Sequence, residues 1–129
     1  MKKLFFISSL LLVFGLTTLS FAQAQVESGT WGVSTSNTGY TLDDNAGDRS
    51  MTIDVSFAEP FDEKPDIIMG VTMMDATTQT NIRYSVSPMS VSRDGFTIKI
   101  ATWSDSKIYG LSGYWMAHAK KDMNKDMDE

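Results

Sequence analysis

The sequence predicts an all-β fold, a six-stranded antiparallel β-sandwich. Three observations predict it. Apolar and polar residues alternate at period two in one segment after another. Turn-forming residues break that alternation at short intervals. No stretch between Gln25 and His118 carries a convincing helical period. Several short strands with frequent turns are the signature of a sandwich.

In chain order, Gly29 to Ser34 forms a short strand carrying Trp31 and Val33. Met51, Ile53, Val55 and Phe57 alternate with Thr52, Asp54 and Ser56, the pattern of a half-buried strand. Asp66 to Asp75 sets Ile67, Met69, Val71 and Met73 on one face and Ile68, Gly70, Thr72 and Met74 on the other. That second face is semi-apolar, which predicts a central strand or contact with another subunit. Ile82, Tyr84 and Val86 mark the next strand, and Phe96, Ile98, Ile100 and Thr102 the one after it. Tyr109, Leu111, Gly113, Trp115 and Ala117 share one face of the last. Between them lie the Asp43–Gly47 loop, the Glu59–Pro65 loop with two prolines that cannot join a ladder, the Asp94-Gly95 hairpin signal and the polar turn Ser104–Lys107.

The two ends of the chain read differently. Met1-Lys2-Lys3, the apolar run from Leu4 to Phe21 and the small-residue site Ala22-Gln23-Ala24 make residues 1–24 a bacterial secretory signal peptide. Cleavage after Ala24 leaves a mature chain that starts at Gln25, has no membrane span and works in the periplasm or outside the cell. The domain then covers residues 25–119. Residues 120–129 form a charged, solvated tail.

Composition excludes several function classes. The chain has 129 residues, no cysteine and one histidine. Disulfide scaffolds, thiolate zinc sites and cysteine nucleophiles are ruled out, and a histidine metal cage or a serine triad is disfavoured. The 16 acidic residues outnumber the 11 basic ones, for a net charge of −5. Removal of Lys2 and Lys3 widens the gap. Such a domain lacks the clustered cations that nucleic acid requires. The nine methionines suggest core filling, with Met51, Met69 and Met73 at strand phase. His118 reads as a surface residue. No cofactor is expected.

Alternating strand direction gathers the loop 35–48, the loop 75–81 and the turn 104–107 at one end of the sandwich, here called the top. The top therefore collects Asp43, Asp44, Asn45, Gly47, Asp48, Asp75, Asn81 and Arg83. Trp103 and Tyr109 flank its last turn as a candidate cross-strand pair. Sugar hydroxyls need carboxylate, amide and guanidinium partners, and the C–H face of a pyranose needs an aromatic plane. Plain readings stand beside this one. Trp103 and Tyr109 can be packing residues, Tyr109 being in phase with Leu111. Arg83 can form a surface ion pair with Asp75. The Asp-rich loop can be a solvated turn or a partial calcium loop, although no glutamate closes it.

Four segments sharpen the choice. They are Val55-Ser56-Phe57-Ala58-Glu59-Pro60-Phe61; Asn81-Ile82-Arg83 with Val86-Ser87; Gly95-Phe96-Thr97-Ile98; and Thr102-Trp103-Ser104-Asp105-Ser106-Lys107-Ile108-Tyr109 followed by Trp115-Met116-Ala117. In order and spacing this set resembles the H-type lectin family, the fold of snail agglutinins and slime-mould discoidins. The resemblance implies a six-stranded sandwich that assembles as a homotrimer. It also implies a site at the boundary between subunits that takes glycans ending in N-acetylgalactosamine or galactose. Carried over residue by residue, the site comprises Gly47, Asp48, Arg83, Trp103, Ser104 and Tyr109, with no metal. Asp43 or Asp44 is the alternative to Asp48, because the loop before the second strand varies in length. Ser104 stands where the snail lectin has a histidine, and the snail lectin's disulfides have no counterpart.

The expected function is thus a secreted, non-enzymatic, multivalent lectin. The alternative is a trimeric structural or adhesive module without sugar binding. A glycoside hydrolase using two of Asp48, Asp75 and Asp105 is the remote third reading.

Overall fold

The computed structural model of the chain describes residues 24–44 and 46–119. The expected signal peptide, apart from Ala24, and the expected tail lie outside the described residues. Six strands follow in order: β1 (Gln25–Ser34), β2 (Arg49–Ser56), β3 (Asp66–Ala76), β4 (Tyr84–Met89), β5 (Gly95–Thr102) and β6 (Ile108–Ala119). They form two three-stranded sheets, β1-β6-β3 and β2-β5-β4, with every neighbouring pair antiparallel. The predicted all-β sandwich is therefore the observed fold, and no helix occurs among the described residues.

Only β4 and β5 are neighbours both in sequence and in a sheet. Every other connection crosses between sheets. This topology buries β6, whose inward residues Ile108, Leu111, Trp115 and Ala117 pack against Phe96, Ile98 and Ile100 of β5. At the lower end Trp115 meets Phe96 at a ring separation of 5.4 Å and Phe57 at 6.0 Å, and Phe57 meets Phe61 edge-on at 4.8 Å. Such pairs contribute about 0.5–1.5 kcal/mol each beyond area burial. They explain why the proline-bounded loop after β2 docks inward. Its backbone is tied as well: Phe57 N–H donates to Asp94 O at 2.9 Å and Phe61 N–H to Arg93 O at 2.9 Å.

Two indoles lie on the inner face of β1 and β6, and each is opposed by a glycine. Trp31 stands across from Gly113, and Gly29 across from Trp115. A Cβ on Gly29 would lie 2.7 Å from the Trp115 ring, and one on Gly113 would lie 1.8 Å from Gly70 O and 2.9 Å from the Trp31 ring. The glycines are there for space. They let two large rings share a two-strand surface and let β3 approach β6. Gly95 plays a similar part: its Cβ would meet Val55 O at 2.1 Å, and its φ is not positive. The Asp94-Gly95 pair does mark the β4–β5 hairpin, but the glycine makes room for β2 and does not supply a left-handed turn.

Several strand-phase expectations are corrected. A register shift between Val71 and Met73 flips the phase of β3, so Met73 is 46% exposed while Met74 packs on the core. A second shift, where Asp75 and Ala76 pair with Gly110 and Ile108, leaves Tyr109 unpaired. Ile108 and Leu111 are both fully buried, and Tyr109 is 37% exposed, out of phase with Leu111. A β-bulge inserts one residue and so reverses the facing of the residues beyond it. Ile82 packs on the core ahead of β4 and is not part of it. β1 starts at Gln25, ahead of the expected Gly29. β4 runs through Pro88, which an edge strand tolerates because its outer ladder is unpaired.

The spacing of β3 and β6 can be tested directly. Gly113→Ala should cost at least about 2 kcal/mol in urea unfolding, since its Cβ meets backbone that has no rotamer to change. Gly32→Ala, where the nearest atom is the Ser112 Cβ at 3.3 Å, should cost less. Equal midpoints for the two variants would contradict this packing.

Candidate carbohydrate-binding rim

The loops that strand parity collected at the top are stitched together by backbone hydrogen bonds. Ile108 N–H donates to Leu42 O at 3.0 Å, Gly47 N–H to Ser104 O at 3.1 Å, and Thr77 N–H to Lys107 O at 3.0 Å. The buried polar residues among those described are Arg49, Thr102 and Ser106, and all three belong to this end.

Arg49 shares the inward phase of Met51, Ile53 and Val55, so its guanidinium enters the domain. Backbone carbonyls receive it. Nε donates to Gly47 O at 3.0 Å, Nη1 to Ser106 O at 2.9 Å and to Asp44 O, and Nη2 to Ser104 O at 3.0 Å. A buried charge costs several kcal/mol unless donors are matched. The planar fork of arginine matches four carbonyls at once. One side chain thereby fixes the loop before β2 against the turn after β5.

Ser106 does the same for the third loop. Its Oγ donates to Asn81 O at 2.8 Å and accepts Arg83 N–H at 2.9 Å. Thr102 Oγ1 donates to Arg83 O at 2.6 Å. These bonds take the backbone groups a ladder would use, which is why β4 starts at Tyr84 and not at Ile82.

The six candidate residues fall along this rim in three groups. Gly47, Asp48, Trp103 and Ser104 form the first. Gly47 has φ 84° and Ser104 φ 59°, both left-handed. The strained Ser104 keeps its carbonyl on Gly47 and Arg49 and leaves its residue exposed. Trp103 is 40% exposed. Asp48, Ser50, Lys99, Ala101 and Trp103 border an open hollow of about 290 Å³. Arg83 is the second group. Its Nη1 bonds Asp105 Oδ1 at 2.8 Å and Asn81 O at 3.3 Å, so its ion-pair partner is Asp105 and not the expected Asp75. Tyr109 is the third. Its carbonyl accepts Thr35 N–H at 3.1 Å, and its ring stands on the other sheet.

The expected Trp103–Tyr109 cross-strand pair is therefore corrected. β5 and β6 belong to different sheets, so the turn between them is a crossover and not a hairpin. The exposed Arg83–Asp105 pair is worth only about 0–1 kcal/mol, so a ligand hydroxyl can compete for either partner.

Of the alternative aspartates, Asp44 offers its carbonyl to Arg49. Asp43 and Asp75 act on Tyr40, whose hydroxyl donates to Ile108 O at 2.6 Å. Burial first, then those two carboxylates, push the Tyr40 phenol from 10.0 up to about 12. Asp48 is the one of the three bordering the hollow beside Trp103. Among the described residues no three of His, Cys, Asp and Glu converge to hold a metal ion. Sequence reading passes over Arg49, gives Ser106 only a place in the quoted motif, and offers Asp105 as a hydrolase carboxylate and not as the partner of Arg83. A signal existed for the first: a charged residue at the inward phase of an apolar strand.

Comparison with known proteins points the same way. The model of the H-type lectin domain matches residues 52–118. The chain is 34% identical over 71 residues to the protein named ATP synthase subunits region ORF 7 of Fuscovulum blasticum, covering 55% of this chain and 62% of that one. It is 29% identical over 79 residues to a discoidin-1 chain of Dictyostelium discoideum, covering 60% of this chain and 31% of that one. Wild-type discoidin II of the same organism superposes with a TM-score of 0.68 at 21% identity, over 79% of this chain and 39% of that one. The chain thus spans less than two thirds of the length of each.

Two measurements probe the rim. Arg49→Met orphans buried carbonyls at about 1–3 kcal/mol each and should destabilise the fold by about 3 kcal/mol or more in urea unfolding. Arg49→Lys, with a point charge and fewer donors, should recover only part of that. The Tyr40 shift sets a pH window. The unfolded phenol titrates near 10 and the folded one near 12, so its contribution is intact below about pH 10 and is lost as the pH rises through 12. The unfolding midpoint of the native chain should fall over that window relative to Tyr40→Phe, which lacks the titrating group. Parallel curves would refute the assignment.

Proposed function

Because the chain belongs to the H-type lectin domain family, we propose that it is a secreted or periplasmic carbohydrate-binding protein that recognises terminal N-acetylgalactosamine or galactose and gains avidity as a homotrimer. The observation that carries this reading is the rim itself. Buried Arg49 and Ser106 hold Asp48, Trp103, Ser104 and Arg83 together at one end of the sandwich. Asp48 and Arg83 supply an acceptor and donors for vicinal hydroxyls. The exposed Trp103 and Tyr109 rings supply planes for the C–H face and the acetamido methyl. The chemistry is recognition alone; no bond is made or broken.

Trimerisation is supported by the outer face of β1-β6-β3. Its cross-strand rows set Val26, His118 and Asp66 side by side, then Ser28, Met116 and Ile68, then Thr30, Tyr114 and Gly70, then Gly32, Ser112 and Met73. Val26, Ile68, Met73, Tyr114 and Met116 are all between 39% and 58% exposed. Apolar side chains in adjacent rows form a patch, and contiguous apolar patches mark association sites. The outer face of β2-β5-β4 is more polar, carrying Ser50, Thr52, Asp54, Ser56, Ser85, Ser87, Thr97 and Lys99 beside Ala101 and the exposed Met89. Tyr109 stands apart from Trp103, which fits a site completed by the neighbouring protomer. One site of this kind binds at about 10⁻⁴ M, and three presented together multiply that into useful avidity.

The test is calorimetry on the chain from Gln25 with N-acetylgalactosamine, with and without chelator, beside sedimentation. The chain should sediment as a trimer and bind in both buffers. Arg83→Ala and Trp103→Ala should remain trimeric and lose at least tenfold in affinity. Variants that bind like the native chain would refute the residue assignment. A folded trimer that binds no glycan would leave the structural or adhesive module.

A further inference from the structure

The hollow beside Trp103 extends down the outer face of β5, away from the rest of the rim. Its floor is low because two small residues, Ser50 and Ala101, face each other there across β2–β5. Trp103 and Lys99 stand at its two ends, four residues apart on an outward phase, or about 13 Å at strand rise. Asp48 and Ser50 form its side. At about 290 Å³ it falls just under the size range of enclosed small-ligand sites, which begins at about 300 Å³, room for one further sugar unit beside the one at Trp103.

Among the described residues neither exposed charged side chain of that hollow's surface, Lys99 or Asp48, has an ion-pair partner, and Lys99 is its exposed cation. It is exposed, and its strand neighbours are Thr52 and Ser87. The ion pair among the described residues is Arg83–Asp105. Asp54 lies one row away from Lys99, and its carboxylate accepts the Thr97 hydroxyl at 2.8 Å. A protein with 16 acidic and 11 basic residues thus presents an ammonium without an ion-pair partner among the described residues, at the end of a groove bordered by Asp48, Ser50, Ala101 and Trp103. A Lys head is a compact, three-donor point charge suited to carboxylate or sulfate oxygens.

We infer that this groove is an extension subsite in which Lys99 receives an anionic group, a carboxylate or a sulfate, on the sugar unit next to the terminal one, so that the protein prefers acidic glycans. The inference rests on the lectin reading above. Asp48 orients the assembly. It repels the anion from the Trp103 end while accepting hydroxyls there, so the charged unit lies toward Lys99.

The experiment measures affinity ratios by calorimetry with three probes: N-acetylgalactosamine linked to glucuronate, the same disaccharide with glucose in place of glucuronate, and N-acetylgalactosamine 6-sulfate. For the native chain at low salt, the glucuronate disaccharide should bind about three- to fivefold tighter than its glucose counterpart, the range of an exposed ion pair, and the gap should close at 1 M salt. A gain confined to the sulfated probe would show that the anion sits on the terminal sugar and would overturn the extension. In Lys99→Gln the glucuronate-to-glucose ratio should collapse to about one. Ala101→Phe, which fills the floor, should weaken both disaccharides relative to the monosaccharide. An unchanged ratio in Lys99→Gln with sugar still bound overturns this inference and leaves the lectin reading intact. No binding of any probe by the folded native chain overturns both.

Discussion

The top of the molecule depends on a buried guanidinium that, among the described residues, no carboxylate neutralises. Arg49 enters the sandwich where its strand neighbours are apolar, and four main-chain carbonyls turn inward to meet it. Loops this polar would otherwise spread into water. The cost of leaving the cation or the carbonyls unmatched forces the loop before β2 and the turn after β5 into one arrangement. Ser106, itself fully buried, passes that order on to Asn81 and Arg83. The exposed residues of the rim are thus held from beneath by buried ones. Loops held in this way would cost a ligand little ordering free energy.

The two sheets divide the remaining work by polarity. Both inner faces feed one core, in which the lower aromatic cluster and the paired tryptophan–glycine contacts of β1 and β6 set the spacing. The outer faces are unlike each other. One exposes Val26, Ile68, Met73, Tyr114 and Met116, and the other is lined mostly by hydroxyl-bearing and charged residues, with Met89 at its lower end. An antiparallel sheet that covers one face and wets the other alternates cleanly. The departures from clean alternation on β1-β6-β3 are therefore where association is to be sought.

Bulges do much of the aiming. The irregularity at Tyr109 turns a tyrosine that would have been core into an exposed ring, and the one before Met73 exchanges two adjacent methionines between core and surface. Both lie near the β3–β6 seam at the upper end of the fold, consistent with the general use of bulges to re-aim side chains beside binding sites.

The sequence by itself determined the class of fold, the number of strands and the end at which the polar loops gather. Those follow from local alternation, from turn residues and from strand parity, all of which are short-range. It also carried the motif from Thr102 to Tyr109 by which the family was legible. What only the tertiary structure decided is which strands pair, and hence that Trp103 and Tyr109 stand on different sheets. It also decided where the phase breaks, that Arg83 meets Asp105 and not Asp75, and that Arg49, Ser106 and Thr102 support the rim from within. Strand order, bulges and a buried cation's choice of carbonyls are settled by contacts between residues far apart in the chain, such as Arg49 with Ser106 at a separation of 57. No local period records them.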